Sequence, residues 1–121
     1  MRAVITRVNE ASVTIGGQET ARIGKGFLVL LGVHVSDTEA EADRIVDKVC
    51  GLRVFEDANG KMNVNPTDAG AELLIVSQFT LFADCRSRRP GFTAAARPDT
   101  AVPLYERVIA GCRARGFTVR T

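Results

Sequence analysis

The sequence predicts a single α/β domain that spans residues 1–121. Strand-like stretches come first, and two helix-like stretches then alternate with further strands. No repeat, linker or low-complexity segment divides the chain, and 121 residues fit one domain with a sizeable core. These three observations together favour one α/β domain.

The N-terminal part predicts β-strands that are joined by short turns. Arg2–Val8 alternates in polarity, and Ala11–Ile15 forms a second strand after a tight connection. Residues 16–18 (GGQ) can supply the positive backbone angles of a hairpin turn, so the chain is expected to return as a strand that ends near Gly24. The nearly continuous apolar run from Phe27 to Val35 is typical of a strand that is covered on both faces.

The stretch SDTEAEADRIVDKVCGL predicts the first helix. Ser36 and Glu39 match a capping box, and acids crowd the first turns, where the helix dipole favours negative charge. Gly51 is the expected C-terminal stop. The apolar stripe of the helix consists of Ala42, Ile45, Val46 and Val49. After the helix, the short strands RVFED and MNVN are predicted on either side of the turn ANGK.

The segment AELLIVSQFTLFA, residues 71–83, predicts the central strand because most of its residues are apolar. A second helix is expected to begin at Asp99 or Thr100, with Pro103 tolerated in its first turn. Gly116 is expected to end this helix, and the final stretch FTVRT predicts a further strand.

Composition points to a cytoplasmic protein without a metal site. Hydrophobic residues make up 45% and charged residues 25%, which is ordinary for a soluble domain. No apolar run approaches the ~20 residues of a membrane span, and the first residues do not read as a signal peptide. The three cysteines are scattered without a CxxC motif and His34 is the only histidine, so neither a zinc site nor a disulfide framework is expected.

Charge is unevenly spread along the chain. Residues 1–83 carry 8 Lys/Arg and 11 Asp/Glu, a net charge of −3, whereas residues 84–121 carry 8 and 3, a net charge of +5. This asymmetry permits a phosphate-bearing partner for the C-terminal part. Arg86, Arg88 and Arg89 lie together in one loop and suit phosphate oxygens, although a solvated loop or ion pairs with the acidic part explain them equally well.

Hydroxyl, amide and aromatic groups interrupt the apolar central strand at Ser77, Gln78, Phe79 and Thr80. In a strand, Gln78 and Thr80 would share one face, with Ser77 and Phe79 on the other. Their polar groups either cap the end of the strand by bonding to neighbouring backbone or mark a pocket at its C-terminal end. Both interpretations stay open at this point.

The available chemistry favours hydrolysis by positioning over hydrolysis by a side-chain nucleophile. His34 follows a different strand, so no Ser-His-Asp triad is expected, and a hydroxyl without a base is a poor nucleophile. Backbone N–H groups at an irregular strand end can stabilise an oxyanion instead, provided that the substrate is activated, as an ester is. Arg7 ends the first strand at a potentially buried position, where it either snorkels or braces a polar site.

Six stretches occur in a familiar order: RVNEASVTI, GKGFLVLLGV, LRVFEDANGKMNVN, LLIVSQFTLFAD, RRPGF and LYERVIAGCRARG. Together they resemble the D-aminoacyl-tRNA deacylase family over essentially the whole chain. The resemblance implies a deacylase-type fold, with mixed or antiparallel sheet layers or a barrel and two main helices. It also implies a homodimer with active sites at the subunit interface and no metal or organic cofactor.

The resemblance implies hydrolysis of the ester between a D-amino acid and the terminal ribose of tRNA, and mischarged glycyl-tRNA is a further substrate that it allows. Ser77, Gln78, Phe79 and Thr80 would line the aminoacyl pocket, with Thr80 as the candidate nucleophile. In the rival mechanism, backbone groups near Phe79 bind the carbonyl and the 2′-hydroxyl of the RNA helps to activate water. The absence of a base favours the rival mechanism.

The resemblance also assigns binding residues. Arg7 would brace the pocket, Ala95 would abut the terminal adenosine, and Arg88 and Arg89 would meet the phosphates of the CCA end. The family's second signature, Asn-x-Gly-Pro-x-Thr, is absent, and roughly 25 family residues would follow Thr121. We therefore expect a C-terminally truncated sequence of an active enzyme, rather than a degenerate member or one in which another segment replaces the motif.

Two functions of other classes compete with the hydrolase. One is a non-catalytic module that binds the tRNA end or a nucleotide on the same fold. The other is a dimeric structural protein in which Ser77 to Thr80 serve only packing. Cleavage of D-aminoacyl-tRNA, and salt-dependent binding of tRNA without cleavage, separate the three.

Overall fold

The elements follow one another as strands first and helices later. A computed structural model describes residues 1–121. In chain order the elements are β1 (Arg2–Val8), β2 (Ala11–Ile15), β3 (Gln18–Ile23), β4 (Gly26–Gly32), α1 (Glu39–Gly51), β5 (Phe55–Glu56), β6 (Met62–Val64), β7 (Glu72–Ser77), a 3₁₀ turn (Phe79–Phe82), α2 (Pro98–Ala114) and β8 (Val119–Arg120).

The main sheet is mixed and has the strand order β1-β4-β7-β8. β1 runs antiparallel to β4, whereas β4 and β7 are parallel, as are β7 and β8. Two further pairs, β2 with β3 and β5 with β6, form separate two-stranded ribbons. The main sheet is open, with β1 and β8 at its edges. The predicted mixed layers are therefore confirmed, and the predicted alternative of a closed barrel is wrong.

The two faces of the main sheet are covered by different parts of the chain. Phe27, Val29 and Ile75 belong to the large core that includes the buried faces of α1 and α2. Leu74 points to the opposite face and packs with Ile23 of the β2–β3 hairpin. Because successive side chains of a strand alternate between faces, β4 and β7 need apolar residues at nearly every position. This confirms the interpretation of the apolar runs as strands covered on both sides.

Both helices begin at other residues than predicted. α1 is preceded by Thr38, not Ser36, and the Thr38 hydroxyl donates to Glu41 Oε2 (2.7 Å), which lowers the pKa of Glu41. α2 begins at Pro98, one residue before the predicted range, because proline is favoured at the first helical position. Neither helix has the combination of length and apolarity that a membrane crossing requires.

A buried ion pair holds the segment between β4 and α1. The N-terminal ammonium of Met1 lies 2.7 Å from Asp37 Oδ2, and the two side chains are only 1% and 6% exposed. The same carboxylate accepts the backbone N–H of His34 (2.7 Å). Asp37 therefore closes a loop across 36 residues and keeps residues 34–37 outside the helix.

Asp37→Asn should destabilise the protein by about 3 kcal/mol, because it removes one partner of a buried pair and leaves the ammonium uncompensated. The amide oxygen of asparagine can still accept the His34 N–H, so the loss of stability reports the effect of removing the charge alone. Urea denaturation monitored by circular dichroism measures it. The control is Asp47→Asn, whose exposed pair with Arg115 (3.1 Å) should contribute little. Equal effects of the two substitutions would contradict the prediction.

Candidate active site

The central strand ends earlier than predicted, and its end forms one wall of a cavity. β7 pairs with β4 up to Ser77, opposite Leu31, and the N–H of Gln78 then donates to the Leu31 carbonyl (2.8 Å). From Phe79 to Phe82 the chain forms a 3₁₀ turn. The prediction that residues 77–80 alternate along a strand is therefore wrong beyond Ser77. A turn of this kind has no internal partner for its first N–H groups, those of Phe79 and Thr80.

Phe79 and Ser77 line a cavity of about 420 Å³. The Phe79 ring is 56% exposed and packs edge-to-face on Phe92, with ring centroids 5.3 Å apart and planes at 71°. The opposite wall comes from the segment before α2 and from its first turns. The remaining lining residues are Ala95, Ala96, Arg97, Pro98, Ala101 and Val102. A mostly apolar cleft of this size with a few polar groups is typical of a small-molecule site.

Main-chain hydrogen bonds fix the alanine wall of the cavity. Val35 N–H donates to Ala94 O (3.0 Å), and Ala96 N–H donates to Val33 O (2.9 Å). Ala95 lies between them and forms a bridge with His34. Methyl side chains at this wall leave the space open, and the backbone that carries them is tied to the segment that follows β4.

Tyr105 ties the two walls to one another. Its hydroxyl, half-buried on α2, donates to the carbonyl oxygen of Ile75 on β7 (2.8 Å). Burial raises the pKa of Tyr105, so the hydroxyl keeps its proton and the hydrogen bond at neutral pH. The start of α2 is thereby held against the end of β7, and the cavity lies between them.

Gln78 and Thr80 bond to each other and do not line this cavity. The amide Nε2 of Gln78 donates to Thr80 Oγ1; Gln78 is half-buried and Thr80 is exposed. No carboxylate, lysine or imidazole donates to or accepts from the Thr80 hydroxyl. His34 bonds instead to Ser36, with Nδ1 2.8 Å from the Ser36 Oγ. The hydroxyl of Thr80 therefore has no general base within the chain.

The arginine loop projects from the turn that follows β7. Asp84 and Gly91 exchange two backbone hydrogen bonds (2.7 and 2.9 Å) and close the loop. Arg86 binds back onto Asp84, with Nη2 2.6 Å from Oδ2, and this contact holds the pKa of the Asp84 carboxyl below its usual value. Arg88 and Arg89 are exposed and form no ion pair, so two guanidinium groups are available to an anion.

Comparison with known proteins decides the family. A family model described as D-Tyr-tRNA(Tyr) deacylase matches residues 4–121. The chain belongs to this family. A D-aminoacyl-tRNA deacylase of Symbiobacterium thermophilum is 54% identical over 122 aligned positions, which cover 100% of this chain and 81% of that protein. The enzyme of the same name from Thermus aquaticus is also 54% identical, with 100% and 80% covered.

Solved structures of similar fold extend the comparison. A c-Myc DNA Unwinding Element Binding Protein superposes with a TM-score of 0.91 and is 36% identical, covering 100% of this chain and 85% of that one. A probable eukaryotic D-amino acid tRNA deacylase superposes with a TM-score of 0.80 over 93% of this chain and 66% of its own. At 16% identity the second likeness concerns the fold alone.

Only some of the site residues predicted from the sequence lie together in this deacylase. Ser77, Phe79 and Ala95 line one cavity. Arg7 does not reach it: this side chain is exposed, against the expectation of burial, and its Nη1 donates to the Val54 carbonyl (2.6 Å). Arg7 lines a separate cavity of about 280 Å³, together with Asn9, Lys25, Phe55 and Glu56.

Six of the nine lining residues of the cavity were not among the predicted site residues, and Phe92 and Arg97 are the largest of them. Phe92 follows the arginine loop and precedes a run of small residues, and this pattern could have indicated that it lines a cavity. Arg97 carries no motif of its own, and only its position before α2 in the fold puts it at the cavity. The structure also holds no group of three or more His, Cys, Asp and Glu side chains suited to a metal ion.

Proposed function

We propose that this chain hydrolyses the ester of D-aminoacyl-tRNA in the cavity between Phe79 and Ala95 and releases the free D-amino acid and tRNA. The observation that carries the proposal is the early end of β7, which brings Ser77 and Phe79 to the wall of a mostly apolar cavity beside N–H groups that the 3₁₀ turn does not use. Membership of the D-Tyr-tRNA(Tyr) deacylase family supports the same substrate class.

In the proposed reaction, water attacks the ester carbonyl and the 3′-oxygen of the terminal ribose leaves with a proton. The main-chain N–H groups of Phe79 and Thr80 hold the carbonyl oxygen as it becomes negative, which is a task for preorganised dipoles. The cavity has no acidic side chain or histidine in its lining, and the Thr80 hydroxyl has no base. The neighbouring 2′-hydroxyl of the RNA therefore takes the role of activating the water.

The proposed assembly is a cytoplasmic homodimer with the active site at the subunit interface. Exposed apolar side chains around the cavity support a second protein surface there, because contiguous exposed apolar groups mark interaction sites. Phe79, Phe92 and Val102 are 56%, 38% and 52% exposed. Arg7 lines a different cavity of the chain. We therefore propose that it braces the active-site pocket of a second copy across the dimer interface.

In the proposed complex, Arg88 and Arg89 contact phosphates of the CCA end. Both side chains are exposed and without ion pairs, and guanidinium groups suit phosphate oxygens. Such contacts release counterions, so binding of tRNA is expected to weaken as the salt concentration rises.

The test is release of tyrosine from D-Tyr-tRNA and from L-Tyr-tRNA by the purified chain. We expect release from the D-ester, with the L-ester largely intact. Salt-dependent binding of tRNA without cleavage of either ester would favour the non-catalytic binding module. Absence of both cleavage and binding would favour the structural protein.

A further inference from the structure

Arg97 is the only charged side chain that lines the proposed active-site cavity. It is exposed and takes part in no ion pair of the chain. Arg86 and Arg107, in the same half of the chain, differ in this respect. Arg86 is paired with Asp84 and Arg107 with Asp43, at 2.6 and 2.8 Å. The guanidinium at the rim of the cavity is therefore not neutralised by the chain itself.

The backbone of Arg97 is fixed although its side chain is free. Its carbonyl accepts the N–H groups of Thr100 (3.0 Å) and Ala101 (2.8 Å), which anchors it to the first turn of α2. Pro98 follows and restricts the conformation of the preceding residue to the extended region, where Arg97 lies with φ −75° and ψ 162°. The side chain thus starts from a rigid point beside the aromatic pair of Phe79 and Phe92.

The chemistry of this position suits a phosphate. Guanidinium groups bind phosphate oxygens through two parallel hydrogen bonds, and an apolar surrounding strengthens such a contact. The only acid in the first turn of α2 is Asp99, which is exposed and does not line the cavity. In a substrate whose ester occupies the cavity, the nearest anion is the 5′-phosphate of the same terminal nucleotide, which is one ribose away from the ester oxygen.

We propose that Arg97 is a substrate-positioning residue that pairs with the 5′-phosphate of the terminal nucleotide. This inference rests on the proposed function for the identity of the ligand. It gives Arg97 a different task from Arg88 and Arg89, because those residues lie on a separate loop and would meet phosphates farther along the strand. Arg97 would set the depth at which the ester enters the cavity.

A pair of non-hydrolysable ligands tests the contact without requiring cleavage. They are 3′-(D-tyrosylamino)-3′-deoxyadenosine with and without a 5′-phosphate, and calorimetry measures their affinity. The unsubstituted chain should bind the phosphorylated ligand about tenfold more tightly, the gain expected of a charge-assisted pair. Arg97→Ala should remove this preference and leave affinity for the nucleoside ligand unchanged, whereas Arg97→Lys should keep part of it.

The matched control is Arg44→Ala, on the exposed side of α1 and also without an ion pair, which should keep the full preference. With D-Tyr-tRNA as substrate, Arg97→Ala should raise KM about tenfold with little change in kcat. A phosphate preference that survives in Arg97→Ala, or a chain that binds neither ligand, would overturn the assignment. Ligand binding with the predicted preference but no cleavage of D-Tyr-tRNA would instead refute the proposed function alone.

Discussion

Gly26→Ala is expected to prevent the main sheet from forming, with a loss of more than about 4 kcal/mol in the free energy of unfolding. A Cβ atom at this position would lie 1.8 Å from the carbonyl oxygen of Glu72 and 2.7 Å from its N and C atoms. Gly26 is paired with Val8 on one side and with Glu72 on the other. The obstructing atoms are backbone atoms of a paired strand, so no side chain can move aside to make room.

Circular dichroism and urea denaturation of the purified variants measure this effect. The matched control is Gly51→Ala at the end of α1, where a Cβ would meet nothing within 4 Å. Alanine favours a helix over glycine by roughly 0.5–1 kcal/mol, so this control should be unchanged or slightly more stable. A Gly26→Ala protein with native stability would show that β4 and β7 do not approach as closely as the structure has them.

The hairpin between β2 and β3 illustrates what local sequence could predict. Two glycines in a row follow Ile15, and they adopt φ values of 57° and 80°. Such angles are costly for other residues and suit the tight turns that connect antiparallel strands. The strand bounds Arg2–Val8 and Ala11–Ile15 also agree with the alternation in the sequence. The alternation of polar and apolar residues and the residue types of the turn are local properties, and they were sufficient to predict these strands.

The start of α1 illustrates a choice that local sequence could not make. Ser36 and Glu39 fit the pattern of a capping box, and so do Thr38 and Glu41, two residues later. The helix begins after Thr38, whose hydroxyl bonds to the Glu41 carboxylate and caps no backbone N–H. Asp37 is held by the N-terminal ammonium and by the His34 N–H. The His34 contact is local, across three residues, but the contact from the N-terminus is tertiary and spans 36 residues. The contact from the N-terminus cannot be predicted from the residues around the helix start alone.

The end of β7 was misjudged for a similar reason. The stretch Gln78–Phe82 still contains three apolar residues and was predicted to continue the strand, yet β4, the partner of β7, ends at Gly32. Without a strand to pair with, the backbone satisfies its hydrogen bonds in a 3₁₀ turn instead. The deviation matters for function, since the turn exposes Phe79 and separates Thr80 from the cavity wall. Residue types indicated a pocket, but its geometry followed from the length of the neighbouring strand.

Phe79→Ala is expected to lower kcat/KM for D-Tyr-tRNA by about 100-fold, and Thr80→Ala by less than about threefold. Phe79 and Phe92 form the aromatic wall that orients the substrate against the main-chain N–H groups, and loss of one ring loosens that geometry. Thr80 only receives a hydrogen bond from Gln78 and does not line the cavity. Both side chains are exposed, so neither substitution should change folding.

Phe79→Leu separates the role of the ring from that of apolar volume and should fall between Phe79→Ala and the unsubstituted chain. Thr14→Ala, on the exposed side of β2, is the matched control for the loss of a hydroxyl and should be silent. If Thr80→Ala instead lost activity by about 10⁴-fold or more with folding intact, the hydroxyl would be the nucleophile, since losses of that size accompany removal of a nucleophilic side chain. The proposed mechanism, in which main-chain N–H groups and the RNA 2′-hydroxyl act without a side-chain nucleophile, would then be wrong. The cavity and its substrate class would stand, because Thr80→Ala tests the attacking group whereas Phe79→Ala tests the wall that contacts the substrate.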